Sequence, residues 1–165
     1  MESDEWLYAL DLSALIVPDD LLNGNVTCRP PLDKERDTLC EWRFSYAVET
    51  LGSPASEETR RRSTESLEIQ LAADNVWVAA QNDRPVSLCG FNATLPDIVQ
   101  LGPIYTPPDL RGCGYAKVAV AGSLVGARER GVSRAILVTD NPSAARSYEA
   151  VGFRRVGDYG LVLFN

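Results

Sequence analysis

The chain has 165 residues, 45% of them hydrophobic and 24% charged, which is enough for one domain with a buried core and too apolar for a disordered segment. A net charge of −7 argues against nucleic acid as a partner, because its phosphates would be repelled. There is no histidine, which removes the Ser-His-Asp triad, the Cys-His pair and the H-E-x-x-H zinc site, so any acid or base has to be a carboxylate, Tyr, Cys, Lys or water. The first residues, Met1-Glu2-Ser3-Asp4-Glu5, are acidic where a secretory signal is basic, and no apolar run is long enough to span a membrane, so a soluble cytoplasmic protein without a membrane partner is expected. Cys28, Cys40, Cys89 and Cys113 form no C-x-x-C pair and are read as reduced thiols; no metal is expected.

From Glu5 to Val17 the chain is apolar with little clean period, and residues 1–24 are read as an N-terminal extension of unknown role: an extra edge strand, a dimer contact or the tail of a preceding domain. Pro18 to Gly24 reads as a short helical turn. Asn25 to Arg29 is a short strand stopped by Pro30-Pro31, followed by a helix from Asp33 to about Thr50 with Leu39, Trp42, Tyr46, Ala47 and Leu51 on one buried face. Ser53-Pro54 is read as the cap and first position of a second helix that reaches about Ala73, with Glu57 and Glu58 in its first turn. Val76 to Ala80 and Val86 to Ala93 alternate as a hairpin around Gln81 to Pro85.

Ile98 to Tyr105 is the next strand, and Gly102-Pro103 inside it predicts a bulge, because proline cannot donate to a ladder. Pro107-Pro108 then stops the strand, and Gly112 and Gly114 open a helix that runs to Arg130. This is how a chain seats an anion: the glycines let successive N–H groups face one point, the first-turn amides of the helix point the same way, and Arg111 adds a full charge. Gly122 and Gly126 on one face of the helix predict close approach to the sheet. Arg134 to Thr139 is a buried strand, Asn141 caps a helix with Pro142 at its first position, Gly152 ends it, and Phe153 to Phe164 supplies a last strand or hairpin. Between Leu110 and Arg155 eight basic side chains face three acidic ones, so this stretch is +5 in a chain of −7. A basic half suits a polyanionic cofactor, and an acidic remainder suits a cationic amine.

Two motifs in order carry a resemblance. Arg111-x-x-Gly114-x-Ala116 resembles the Arg/Gln-x-x-Gly-x-Gly/Ala loop with which the GNAT superfamily of N-acyltransferases holds the pyrophosphate of acetyl-CoA. Asn141-x-x-Ala144-x-x-x-Tyr148-x-x-x-Gly152-Phe153 is similar to the segment that follows it in that family. The resemblance covers about residues 76–165 and makes this the cofactor half of a single domain spanning 25–165. It implies an α/β fold, a mixed and mostly antiparallel central sheet of about six to seven strands with helices on both faces. The sheet would split where the strand from Ile98 leaves the one starting at Arg134, with acetyl-CoA as co-substrate in the split.

On this resemblance the backbone of Ile104 and Tyr105, with Thr106, Arg111, Gly112, Cys113, Gly114, Tyr115, Ala116 and Asn141, would hold acetyl-CoA. Tyr148 would be the general acid. The acceptor is expected to be a primary amine on a small molecule or peptide, attacking directly, with Trp42, Tyr46 and Glu49 as candidates to line its site. The base stays open: the strand from Ile98 to Tyr105 has no carboxylate, which leaves Asp97, Glu49, or a water ordered by Gln100. A homodimer is one of the assemblies left open. Two other readings remain at this point, a catalytically silent coenzyme A-binding domain and a dinucleotide-binding fold; against the latter, Lys117 occupies the third glycine position.

Overall fold

A computed structural model describes residues 5–158. Its centre is a seven-stranded sheet of order β2-β3-β4-β5-β6-β1-β7, antiparallel throughout except where β5 and β6 run parallel. In chain order the elements are β1 (Trp6–Asp11), α1 (Asp19–Leu22), β2 (Thr27–Arg29), α2 (Arg36–Glu49), α3 (Glu57–Ala72), β3 (Val76–Gln81), β4 (Arg84–Thr94), β5 (Ile98–Tyr105), α4 (Tyr115–Glu129), β6 (Arg134–Thr139), α5 (Pro142–Ala150) and β7 (Arg154–Asp158). Helices cover both faces: α4 packs with Val118, Val120 and Leu124 on the larger core, while Leu39 of α2 and Leu67 of α3 close a second core over Val76, Val78 and Leu88. This is the mixed, mostly antiparallel architecture expected from the sequence. Among the described residues no helix is long and apolar enough to cross a membrane.

The N-terminal segment departs from the sequence reading. Trp6–Asp11 is neither an edge strand nor a tail; it lies inside the sheet, antiparallel to β6 on one side and to β7 on the other. Tyr8 and Leu10, at alternate positions, are buried in the main core, which is the period of a strand that six residues were too few to declare. The edge position belongs to β7, all of whose residues are exposed; the part of the expected last strand beyond Asp158 lies outside the described residues.

Local chemistry accounts for the other shifts. α3 is capped by Ser56, whose hydroxyl accepts the Thr59 N–H at 3.2 Å, and not by Ser53. Starting there puts Glu57 and Glu58 in its first turn, against the positive end of the helix. Leu51 is exposed and takes no part in the buried face of α2. The β3–β4 hairpin is tighter than expected, because Asn82 and Asp83 both adopt positive φ (52° and 61°) and close a two-residue turn. Pro85 is thereby drawn into β4 opposite a register shift at Ala79/Ala80, where its missing N–H does no harm.

Helix α4 lies close against the sheet because two of its residues have no side chain. A Cβ at Gly126 would overlap the Trp77 ring, and one at Gly122 would overlap Cys28. Gly126→Ala is therefore expected to destabilise the fold by about 1–3 kcal/mol through overpacking, more than the roughly 1 kcal/mol that alanine gains as a helix former. A lower urea midpoint checks it; an unchanged or higher one would mean that helix propensity wins.

Candidate active site

The site follows from the way β5 and β6 part. They pair only at Ile98↔Arg134, Val99↔Ala135 and Gln100↔Ile136. Beyond Gln100 the β6-facing edge of β5 has no strand partner among the described residues, and a cleft of about 1060 Å³ opens between Leu101–Tyr105 and Leu137–Thr139. Its floor and walls come from the ends of β5 and β6, the turn into α4, the start of α5 and the last turn of α2.

The expected bulge helps to open it. Between Cys89↔Ile104 and Phe91↔Leu101, three steps along β5 oppose two along β4, so an extra residue is carried at Gly102-Pro103. The Gln70 side chain of α3 braces the kink, its Nε2 donating to the Phe91 and Gly102 carbonyls at 3.0 Å each. Further along, the Ser87 hydroxyl donates to the Tyr105 carbonyl at 3.1 Å and lies 2.9 Å from the Thr106 hydroxyl. The Tyr105 carbonyl is therefore already engaged, and the backbone open to a ligand is the β6-facing edge.

At the far end of the cleft Gly114 is the N-cap of α4 at φ 80°, a left-handed conformation that glycine adopts freely. It has no side chain with which to cap, so the amides of Tyr115, Ala116 and Lys117 have no hydrogen-bond partner among the described residues and face the cleft end. Unpaired N–H groups at the positive end of a 15-residue helix suit a phosphate. The Tyr115 hydroxyl donates to Gln81 Oε1 at 2.6 Å, tying this turn to the end of β3. Arg111 lies at the rim. Its Nε donates to the Thr106 carbonyl at 2.8 Å, and its Nη2 pairs with Glu49 Oε2 at 2.8 Å.

Tyr148, on α5, lines the cleft and is only 7% exposed, packed edge-on against Phe153 with ring centroids 6.4 Å apart. Its hydroxyl has no hydrogen-bond partner among the described residues. Burial first, and then the neighbouring Cys89 and Tyr46, push its pKa well above the ordinary phenol value, so it holds its proton throughout the physiological range. Tyr46 is raised as well, mainly by burial, with Glu5 and Asp140 adding to the effect and Arg43 opposing it. Asn141 lines the cleft while its Oδ1 accepts the Ser143 and Ala144 N–H groups at 2.9 and 3.2 Å, capping α5.

Most of the residues singled out from sequence thus meet in one cleft: Ile104, Tyr105, Thr106, Arg111, Gly112, Gly114, Tyr115, Ala116, Asn141 and Tyr148, with Tyr46 and Glu49. Three do not. Asp97 precedes β5, and its carbonyl accepts the Ser133 and Arg134 N–H groups where β5 and β6 are still joined, about 25 Å from Tyr105 along the strand. Gln100 sits on the last shared rung and does not line the cleft. Cys113 is exposed and faces a smaller cavity of about 430 Å³ with Asp19, Asp20 and Lys117 on the outer side of the glycine turn. Sequence reasoning missed Glu5, Asn92 and Asp140 as lining residues. Asp140 had a signal, its place at the end of β6, whereas Glu5 depends on the position of β1.

The buried acids predict an alkaline response. Burial pushes the thiols of Cys28 and Cys89 up to about 12, and Tyr148 is raised too. The folded chain keeps these protons where the unfolded chain releases them, so stability is fully present below about pH 8.5, the ordinary thiol value, and is lost as pH rises toward 12. A urea midpoint that falls from pH 8 to 11 is expected; a flat or rising profile would contradict the burial of these groups.

The family model of the GNAT acetyltransferases matches residues 37–153, well over half of the chain and the whole of the cleft-forming stretch from α2 to the end of α5. The chain belongs to the GNAT family of acetyltransferases. An acetyltransferase of Agrobacterium fabrum is 39% identical over 57 residues, 34% of this chain and 42% of that protein. Among solved structures, a GNAT acetyltransferase from Colwellia psychrerythraea superposes with a TM-score of 0.68 at 13% identity, over 95% of this chain and 54% of that one. A predicted acetyltransferase from Clostridium acetobutylicum, solved with acetyl-CoA, superposes with a TM-score of 0.62 at 20% identity, over 79% of this chain and 91% of that one. At these identities the solved structures speak for the fold alone, and the chain spans about half the length of the Colwellia protein.

Proposed function

We propose that this GNAT chain transfers an acetyl group from acetyl-CoA to a primary amine by direct attack, in the cleft between β5 and β6. The observation that carries the reading is the pairing, in one cleft, of an uncapped helix N-terminus with a buried tyrosine whose hydroxyl has no hydrogen-bond partner among the described residues. The residues fit the co-substrate. The Tyr115, Ala116 and Lys117 amides offer donors for a pyrophosphate, and Arg111 stands at the same rim. The unpaired edge of β5 offers strand-like N–H and C=O groups to an extended amide-bearing arm.

In the reaction the amine nitrogen bonds to the thioester carbonyl carbon, the carbon–sulfur bond breaks, and the departing sulfur takes a proton. Tyr148 is the donor in this reading: its raised pKa keeps it protonated, and its hydroxyl is not engaged by any other of the described residues. Backbone N–H groups of the open β5 edge would polarise the carbonyl. Asp97 is not carried forward as the base, because it lies at the joined end of the strands; the amine would lose its proton through water in a cleft that holds Glu49 and Asp140. The test is a panel of primary amines with acetyl-CoA, read by thiol release and by the mass of the product. Acetylated amine appearing in step with free thiol is expected; thiol release without it would mean hydrolysis.

A further inference from the structure

Within the cleft one ion pair joins the two halves that a transfer reaction has to bring together. Glu49 is the last residue of α2, where the negative end of the helix disfavours a carboxylate and makes a cation welcome. The cation it has is Arg111, at 2.8 Å, from the turn that carries the open amides of α4. Both side chains are half-exposed (40% and 50%), so the pair is a weak one that a stronger anion or cation can exchange. Arg111 has such an anion within reach if a pyrophosphate binds to the α4 amides: it then faces two anions, and the pyrophosphate offers the greater charge.

Once the guanidinium turns to the phosphates, Glu49 is left without its cation. The wall it stands on carries Tyr46, which feels the carboxylates of Glu5 and Asp140 and the guanidinium of Arg43; both carboxylates line the cleft together with Glu49, so its lining there is rich in negative charge. An independent observation marks the cleft as a place for a ligand: Tyr148, more than nine-tenths buried, lines it as Glu49 does, and its hydroxyl has no hydrogen-bond partner among the described residues. An acceptor amine has to be neutral to attack, and a neutral amine gives a carboxylate little to hold. Glu49 therefore suits a second, permanently charged group on the same molecule.

We propose that Glu49 is the specificity residue of the acceptor subsite, that it anchors the distal ammonium of a diamine or similar dicationic amine, and that Arg111 stands in for that cation until acetyl-CoA draws it away. This rests on the acetyl-transfer reading of the cleft. Two consequences separate it from a merely structural ion pair: removing the charge of Glu49 frees Arg111 for the phosphates, and it abolishes the advantage of a second positive charge on the acceptor.

The experiment compares wild type with Glu49→Gln, an isosteric change at a half-exposed position, in calorimetry with acetyl-CoA and in turnover of putrescine against butylamine. Expected are a two- to fivefold lower Kd for acetyl-CoA in the variant, and a preference for putrescine in kcat/KM of at least tenfold in wild type that falls below about threefold in the variant. An unchanged Kd, or a wild type that uses butylamine as readily as putrescine, overturns the inference and leaves acetyl transfer intact. A wild type that does not bind acetyl-CoA overturns that reading and the inference with it.

Discussion

Tyr148→Phe is expected to lower kcat for acetyl transfer by about 100- to 1000-fold while the Kd for acetyl-CoA stays within about twofold. The phenylalanine keeps the ring that packs edge-on against Phe153, so the fold and the cleft wall are retained. What is lost is one O–H donor that nothing else among the described residues engages. Stopped-assay kinetics with thiol release, together with calorimetry, check the two halves separately. Equal losses of binding and turnover would mean that the ring was displaced; unchanged turnover would remove Tyr148 from the role of acid. The pH dependence adds a sign. Because burial raises the Tyr148 pKa, the wild-type rate carries no loss from its ionisation as pH rises through 10, the ordinary phenol value. A rate limb near pH 10 that disappears in the phenylalanine variant would show a tyrosine far less buried than this one.

Ala116→Asp is expected to weaken acetyl-CoA binding by at least about 100-fold without loss of stability. The two effects have opposite electrostatic signs. Ala116 is in the first turn of α4, where the helix has no acidic residue and no side-chain cap, so a carboxylate there meets the positive end of the helix and the unpaired amides. That favours the folded state by a few tenths of a kcal/mol up to about 1 kcal/mol. The same carboxylate occupies the seat that a pyrophosphate would take and repels it. Calorimetry and a urea titration on one protein preparation measure both. Weaker binding with an equal or higher urea midpoint is the expected pair; unchanged binding would place the phosphates elsewhere.

The cofactor half was legible because its signals are chemical and local. Pro107-Pro108, Gly112 and Gly114 can make only a stop and a turn, Asn141-Pro142 can make only a helix start, and both lie where those residues dictate. Gly102-Pro103 announced a bulge for the same reason. The acceptor half and the base were not legible, because they depend on distances that no spacing in sequence encodes. Asp97 is eight residues from Tyr105 in sequence, but an extended strand sets those eight residues end to end and carries Asp97 away from the cleft. Glu49 and Arg111 are 62 residues apart and meet only because α2 ends over the turn into α4. The interior place of β1 is a matter of strand order: Tyr8 and Leu10 alternate as any half-buried strand would, and nothing in six residues says that β6 and β7 will receive them on either side.

The cleft between β5 and β6 as an acetyl-CoA site is tested most directly by isothermal titration of the purified chain with acetyl-CoA, with NAD titrated in parallel. Saturable one-to-one binding of acetyl-CoA and no binding of NAD is the predicted result. Binding of NAD, or no binding of acetyl-CoA to a chain shown to be folded, would contradict the account.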